Sequence, residues 1–236
     1  MQRSLSSFPF APAVKVRLIH AGFHATADLC DFRPLQLSKA ENKLTALELL
    51  EREQTLGTIV TFCSELDCVL GGGVPVGKTS EICGVPGLAV DVQIPLCFGG
   101  LGGQVVYIDT EGSFLVQRIV DMAKSAVDHC SLLAEDTEQR EALKEFTVET
   151  ILSNLFLFRC HDYVELLAEI YLLPNFLAQH PEVRLVVIDS IASPFRHGFE
   201  DLSYRTRLLS GLAQRLIQMA TQQSVAVCSP PAYVVL

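Results

Sequence analysis

The chain has 236 residues, 49% of them hydrophobic, and its mean hydropathy is +0.32. These values exclude a disordered chain and are sufficient to bury one medium-sized α/β core with a small appendage. No apolar run approaches the roughly 18 residues that a membrane span requires, and the N-terminus lacks the apolar stretch of a secretory signal, so we expect a nuclear or cytoplasmic protein with no membrane partner.

The charge is unevenly distributed. The formal net charge is −9, and residues 1–50 hold six Lys/Arg against four Asp/Glu, so the remaining chain carries −11. This acidic body argues against tight, non-specific binding of nucleic acid by overall charge. The eight cysteines include no CxxC pair, which favours reduced core cysteines over disulfides.

Along the chain, helical patterns come first. Residues 14–30 are typical of a short helix that stops at Gly22 and is followed by a second helix start, and residues 45–53 predict another helix. After residue 58, short β-branched runs alternate with amphipathic ones. Strands are predicted over residues 80–83, 104–109, 155–159, 184–189 and 224–228, and helices over residues 114–133, 138–146, 163–172 and 204–222. This alternation predicts an α/β fold with a mostly parallel sheet flanked by helices, with ligands at the carboxyl ends of the strands.

One predicted strand, residues 184–189, ends in a single carboxylate, Asp189. A carboxylate in this position is well placed to hold Mg²⁺ through water beside a nucleotide. Many α/β proteins also end a strand in Asp as a helix cap, so the pattern alone leaves both interpretations open.

A second predicted strand continues into Asp109, Thr110, Glu111 and Gly112. Glu111 could orient a water molecule for attack on a γ-phosphate. The structural alternative is that Thr110 or Ser113 caps the following helix and that Asp109 is simply polar.

A literal phosphate-loop pattern, G-x-x-x-x-G-K-[ST], includes Gly72, Gly77, Lys78 and Thr79. A working loop requires a strand before it and a helix directly after it, because the N-terminal N–H groups and the dipole of that helix bind phosphate. Here a turn-rich segment precedes the pattern, and a strand-like run follows Lys78. We therefore interpret this match as one in the wrong structural context.

The required context comes one step later, where the strand at 80–83 runs into Gly84, Val85, Pro86 and Gly87. The following residues supply no lysine for the β- and γ-phosphates and no hydroxyl for Mg²⁺, so the loop is interrupted. The remaining stub, residues 88–94, makes at most two helical turns. We predict an exposed apolar patch there and a tendency to aggregate.

Three segments, residues 66–87, 105–119 and 183–216, together resemble the RecA/Rad recombinases of eukaryotes. The resemblance implies a RecA-type ATPase core that uses ATP and Mg²⁺ behind a small helical N-terminal domain, with a role in homologous recombination and double-strand break repair. It implies other Rad recombinase paralogues as partners in a hetero-oligomer, and DNA through that complex. By the resemblance, Gly84 to Gly87 begin Walker A, Glu111 polarises water, and Asp189 is the Walker-B carboxylate.

The chain departs from the family pattern in three places. The helix-hairpin-helix of the N-terminal domain looks shortened, the Gly-Lys-Thr of Walker A is missing, and residues 229–236 resemble nothing in the family. We therefore expect a partial helical domain at 1–44, an incomplete core at 45–228 and an unrelated tail. Abrupt breaks of this kind are typical of an alternatively spliced or mispredicted gene product.

Three functions remain open: an ATP-dependent recombination factor, a non-catalytic protein that binds Rad paralogues, and a P-loop NTPase that uses Lys78. The missing lysine and hydroxyl predict weak or absent ATP binding. The candidates for DNA binding are Arg196, His197, Arg205, Arg207 and Arg215. The alternative, which we favour, is that they are solvated helix arginines balanced by nearby acidic residues.

Overall fold

The computed structural model describes residues 45–196, 199 and 201–230. The helical unit expected at residues 14–30 and the end of the expected tail lie outside these ranges. The chain divides into two units between Glu51 and Arg52, and the sheet belongs to the second. Within the described part, no helix has both the length and the apolar character needed to cross a membrane.

A small antiparallel ribbon precedes the main sheet. After helix α1 (Ala46–Thr55), strand β1 (Thr58–Ile59) pairs with strand β2 (Val74–Pro75), and helix α2 (Ser64–Leu70) lies between them in the chain. Gly73 has φ +126°, and a Cβ there would overlap the carbonyl oxygen of Ile59. Glycine is therefore required where the two backbones meet.

The main sheet has five parallel strands, as the alternating pattern predicted. They are β3 (Thr79–Glu81), β4 (Gln104–Asp109), β5 (Leu155–Arg159), β6 (Val183–Asp189) and β7 (Ala226–Ser229). Their order is β3-β7-β6-β4-β5. Strand β7 is thus interior, and the three-residue β3 beside it forms one edge of the sheet.

Helices connect and cover these strands. They are α3 (Val85–Asp91), α4 (Val116–Leu133), α5 (Thr137–Glu145), α6 (Val148–Ser153), α7 (Tyr163–Gln179) and α8 (Leu202–Gln223), with 3₁₀ turns at Leu96–Phe98 and Ser193–Phe195. The largest difference from the predicted bounds is in α7, which continues seven residues past residue 172; α4 begins two residues late. In α7 the buried Leu173 and Leu177 hold the extension against the sheet, in spite of Pro174 within it.

The stub after the interrupted loop is buried, so the prediction of an exposed apolar patch at residues 88–94 is wrong. Leu88 and Ala89 pack in one cluster with Tyr107 of β4 and Val187 of β6, and Ile94 packs in another against α4. All of these side chains are at most 4% exposed. Seven helical residues are enough to bury the stub, because the apolar positions of α3 face both the sheet and α4. The expected aggregation therefore has no support at these residues.

Candidate nucleotide site

The carboxyl ends of β4 and β6 lie side by side, with Asp109 opposite Asp189. Asp109 is 1% exposed. Its carboxylate accepts hydrogen bonds from the backbone N–H groups of the next loop, at Glu111, Gly112, Ser113 and Phe114, over 2.8 to 3.3 Å. Asp109 therefore fixes this loop, which delays the start of α4. The capping alternative is wrong, because Leu115 occupies the N-cap and no side chain caps it.

A cross-strand network links this loop to the end of β6. The Thr110 hydroxyl donates to the Ser190 carbonyl oxygen at 2.7 Å and accepts from the Ser190 N–H at 2.8 Å. The Ser190 hydroxyl donates to Oε1 of the exposed Glu111 at 2.8 Å and accepts from the Ser193 N–H at 3.2 Å. Ser190 thus connects Glu111 to the residue directly after Asp189.

Asp189 is partly buried and has a neighbour that the sequence did not suggest. The Tyr107 hydroxyl donates to Asp189 Oδ2 at 2.6 Å. Burial and this hydrogen bond raise the pKa of Tyr107 above its ordinary value. One oxygen of the carboxylate is therefore engaged by a neutral phenol, which keeps its proton at physiological pH.

The remnant of the phosphate loop lies close to Asp189. Gly84 is the N-cap of α3 with φ +87°, and Val85 is buried. Pro86 lines a cavity of about 140 Å³ together with Tyr107, Arg118 and Asp189. The structure thus brings Pro86 and Asp189 to one cavity.

The other predicted residues are not part of this small cavity. The residues that line the small cavity do not include Gly84, Val85, Gly87 or Glu111. Gly87 instead faces a second groove on the other side of α3.

The residues of the literal pattern lie elsewhere. Lys78 comes directly before β3, so strand rather than helix follows it, as predicted. Its ammonium group forms an exposed ion pair with Glu53 at 3.5 Å. By the strand register, Thr79 is level with Val186, so Lys78 lies two strands away from Asp189 and four positions before it along the strand direction. Gly72 and Gly77, with φ +119° and +81°, serve backbone turns, and Thr79 lies within β3.

The cavity beside Asp189 is smaller than the pockets that usually hold nucleotides. Nucleotide-sized ligands occupy pockets of about 300 Å³ or more, well above 140 Å³. Arg118 is the one basic side chain among its lining residues. The described residues also contain no group of three or more His, Cys, Asp or Glu side chains that could hold a metal ion. Asp189 by itself leaves most of the coordination of Mg²⁺ to water or phosphate oxygens.

The arginines considered for DNA binding have separate environments. Arg207 lies 3.8 Å from Asp201 and 5.9 Å above the Tyr204 ring. The Nε of Arg205 is buried with no hydrogen-bond partner in the described structure. Arg196 is exposed after the second 3₁₀ turn, and His197 lies outside the described residues. Their role in DNA binding stays a prediction.

Arg215, by contrast, forms contacts within the fold. Its guanidinium lies 4.1 Å from the centroid of the Tyr171 ring and donates to the carbonyl oxygens of Ile170 and Tyr171. It is therefore a contact between α7 and α8.

Three residues of the site were missed from the sequence: Tyr107, Arg118 and Ser190. Ser190 directly follows Asp189, so its closeness to the site was readable. Tyr107 lies inside an apolar strand and Arg118 inside an amphipathic helix, where neither pattern distinguishes a site residue from a core or surface residue.

A five-stranded parallel sheet with acidic residues at the ends of its central strands, covered by helices, defines the RecA-type α/β core. The family model described as Rad51 matches residues 51–232. The chain therefore belongs to the Rad51 family.

Three relatives show how far the similarity extends. "DNA repair protein RAD51 homolog 3" of Cricetulus griseus is 49% identical, over 96% of this chain and 74% of that protein. The protein of the same name in Dictyostelium discoideum is 42% identical, over 79% and 51%. "DNA repair and recombination protein RadA" of Metallosphaera sedula is 31% identical, over 78% and 55%. The chain thus spans about half the length of the last two.

The match to the hamster protein is interrupted. It extends over 271 positions, more than the 236 residues of this chain. The relative must therefore carry residues that have no counterpart here.

Proposed function

We propose that this chain is a DNA repair factor of the Rad51-paralogue type whose ATP binding is weak or absent. The first part rests on the family and on two relatives named as DNA repair proteins. Action in the nucleus, assembly with other Rad paralogues and contact with DNA through that assembly belong to the same proposal. So does the division into a partial N-terminal domain, an incomplete core at 45–228 and a separate tail.

The observation that carries the second part is the cavity between Pro86 and Asp189. Its volume of about 140 Å³ leaves no room for a nucleotide, and Tyr107 already engages Asp189. The lysine and the hydroxyl that would contact phosphate and Mg²⁺ are missing from the glycine-rich turn. Losing two charge-assisted contacts, each about 1.5–3 kcal/mol, weakens binding by roughly 10²- to 10⁴-fold.

Titration of the full chain with fluorescently labelled ATP and Mg²⁺ tests this part. We expect no saturation at micromolar nucleotide, and no difference between the chain and its Asp189→Asn variant. Saturable micromolar binding that Asp189→Asn abolishes would contradict the proposal, because it would show that Asp189 still serves a nucleotide.

The Lys78→Ala variant tests the remaining hypothesis, a P-loop NTPase that uses Lys78. Lys78 lies two strands away from Asp189 and four positions before it along the strand direction, and it pairs with Glu53. We therefore expect this substitution to leave nucleotide binding as it was. If the chain binds ATP and Lys78→Ala removes that binding, the literal pattern is the working site.

A non-catalytic role as a paralogue-binding protein is the second candidate. The network of Thr110, Glu111 and Ser190 and the buried stub support this candidate, because they pack the core around the interrupted loop. Co-precipitation with the other Rad paralogues, with and without ATP, tests this role. Partner binding that is equal under both conditions supports it, and binding that requires ATP excludes it.

A further inference from the structure

A larger groove lies between α3, α4 and the loop before α2, and Asp189 is not among its lining residues. Its volume is about 730 Å³, within the range of pockets that hold small molecules. Its walls are α3, one face of α4, and the loop before α2 that contains Thr61 and Phe62. It shares only Arg118 with the smaller cavity. The groove is thus a separate concavity, and its properties do not depend on ATP binding.

The floor and one end of the groove suit a flat, apolar molecule. Val90 and Ala126 line its floor, and both are at most 8% exposed. At one end the rings of Phe62 and His129 meet edge to face, with centroids 5.2 Å apart. Phe62 is 47% exposed and has φ +55°. A bulky residue rarely adopts this left-handed conformation, and such strain concentrates at binding sites.

The acidic side chains of the groove favour a cation. Asp91 lines the groove, and among the described residues its carboxylate has no hydrogen-bond or ion-pair partner. A partly buried carboxylate that has no protein partner attracts a cationic ligand. Asp121 lines the same groove, where Gln117 donates to it at 3.0 Å.

Other charged groups determine the electrostatic environment of Asp91. Asp67 on α2 acts on it through space with the same sign, and Arg118 and His129 face the groove from α4. Arg118 also reaches the smaller cavity, where its charge acts on Tyr107. Burial and Asp67 raise the pKa of Asp91 to about 7.

We propose that this groove binds a small organic cation with a flat apolar body, whose ammonium group pairs with Asp91. The flat body lies on the apolar floor beside the Phe62 ring, whose face attracts a cation. The carboxylates of Asp91 and Asp121 repel an anion of the same shape. The charge of the ligand therefore decides its affinity more than its shape does.

Isothermal titration of the full chain with tryptamine and with indole-3-propionate tests this proposal, because the two probes share a ring and differ in charge. We expect saturable binding of tryptamine that is about tenfold or more tighter than that of the acid. The Asp91→Asn variant is expected to lose about tenfold in tryptamine affinity. Asp128→Asn, the same charge change on α4 outside the groove, should leave the affinity unchanged.

The dependence on pH gives an independent readout. Tryptamine affinity should rise as the pH passes from below to above about 7, because Asp91 then ionises. The part of the rise that Asp91→Asn removes belongs to Asp91.

A blocking variant completes the test. Ser125 is exposed and lines the groove, so Ser125→Trp fills the space without disturbing the core and should abolish tryptamine binding. Equal affinity for amine and acid, no saturable tryptamine binding at about 5 mM, or unchanged binding in Asp91→Asn would each overturn the proposal.

Discussion

Asp109 and Asp189 end neighbouring strands, but the structure gives their carboxylates different partners. Four backbone N–H groups satisfy Asp109, which makes it a structural residue that holds the loop before α4. Asp189 accepts one hydrogen bond, from Tyr107, and borders a cavity. Of the two carboxylates, Asp189 is therefore the one that borders a cavity.

Asp91 makes the stability of the protein depend on pH. Its pKa is about 7 in the folded chain, compared with an ordinary value of 3.8, because of burial and of Asp67. Between these values the folded state binds the proton more tightly than the unfolded state does, so the contribution of Asp91 to stability is fully present below about 3.8 and is lost as the pH rises to about 7. Since solvent reaches the groove, we expect this loss to be about 2 kcal/mol.

Urea unfolding of the chain and of Asp91→Asn across this pH range measures the effect. The variant lacks the titrating group, so it should show a smaller fall and be more stable than the parent chain near neutral pH. Asp128→Asn is the matched control and should follow the parent. A fall that is equally steep in Asp91→Asn would contradict the assignment.

At the scale of elements, α7 shows how a distant side chain supports a helix. Pro174 has no N–H to donate to the carbonyl oxygen of Ile170, one turn earlier. The Nε of Arg215 on α8 donates to that oxygen at 3.4 Å, and the same guanidinium covers Tyr171. The helix therefore continues through a residue that the sequence alone predicts will end it.

The glycines of the two loop patterns give an element-scale prediction. Gly73→Ala should cost about 2 kcal/mol or more, because φ is +126° and the new Cβ overlaps the Ile59 carbonyl oxygen. Gly87→Ala should instead stabilise by about 0.5–1 kcal/mol, because Gly87 is helical and a Cβ there meets open space. Thermal or urea unfolding of both variants measures the difference.

The two glycine variants also test the interpretation of the loops. If Gly73→Ala strongly destabilises the protein, the literal phosphate-loop pattern lies where two backbone segments approach closely. If Gly87→Ala is the more damaging of the two, the short helix α3 does not form as described.

At the scale of the molecule, β6 joins the two faces of the sheet. Leu185 packs in the cluster that contains α3, and Ile188 packs in the cluster under α7 and α8. Both side chains are 0% exposed. Leu185→Ala and Ile188→Ala should each cost about 2–5 kcal/mol, while Leu132→Ala, at an 86% exposed position, should change stability by at most about 0.5 kcal/mol.

Because β6 contributes core side chains to both faces of the sheet, we expect the two faces to unfold together. Far-UV circular dichroism and tyrosine fluorescence should give coincident urea transitions for the parent and for both core variants. Separate transitions in Leu185→Ala, with the face under α7 and α8 retained, would show that the region around the short α3 is an independent and weaker unit.

The sequence by itself determined the five parallel strands and the longer helices of the core, the acidic ends of β4 and β6, and the interruption after Gly87, but not α2, α6 or the β1–β2 ribbon. These features are local, since periodicity and turn residues depend on neighbours in the chain. Only the tertiary structure decided which groups meet: Tyr107 at Asp189, Ser190 at Glu111, and the buried stub against β4 and α4. Those contacts join residues far apart in sequence, so packing alone determines that the remnant loop borders a small cavity while Asp91 faces a larger groove.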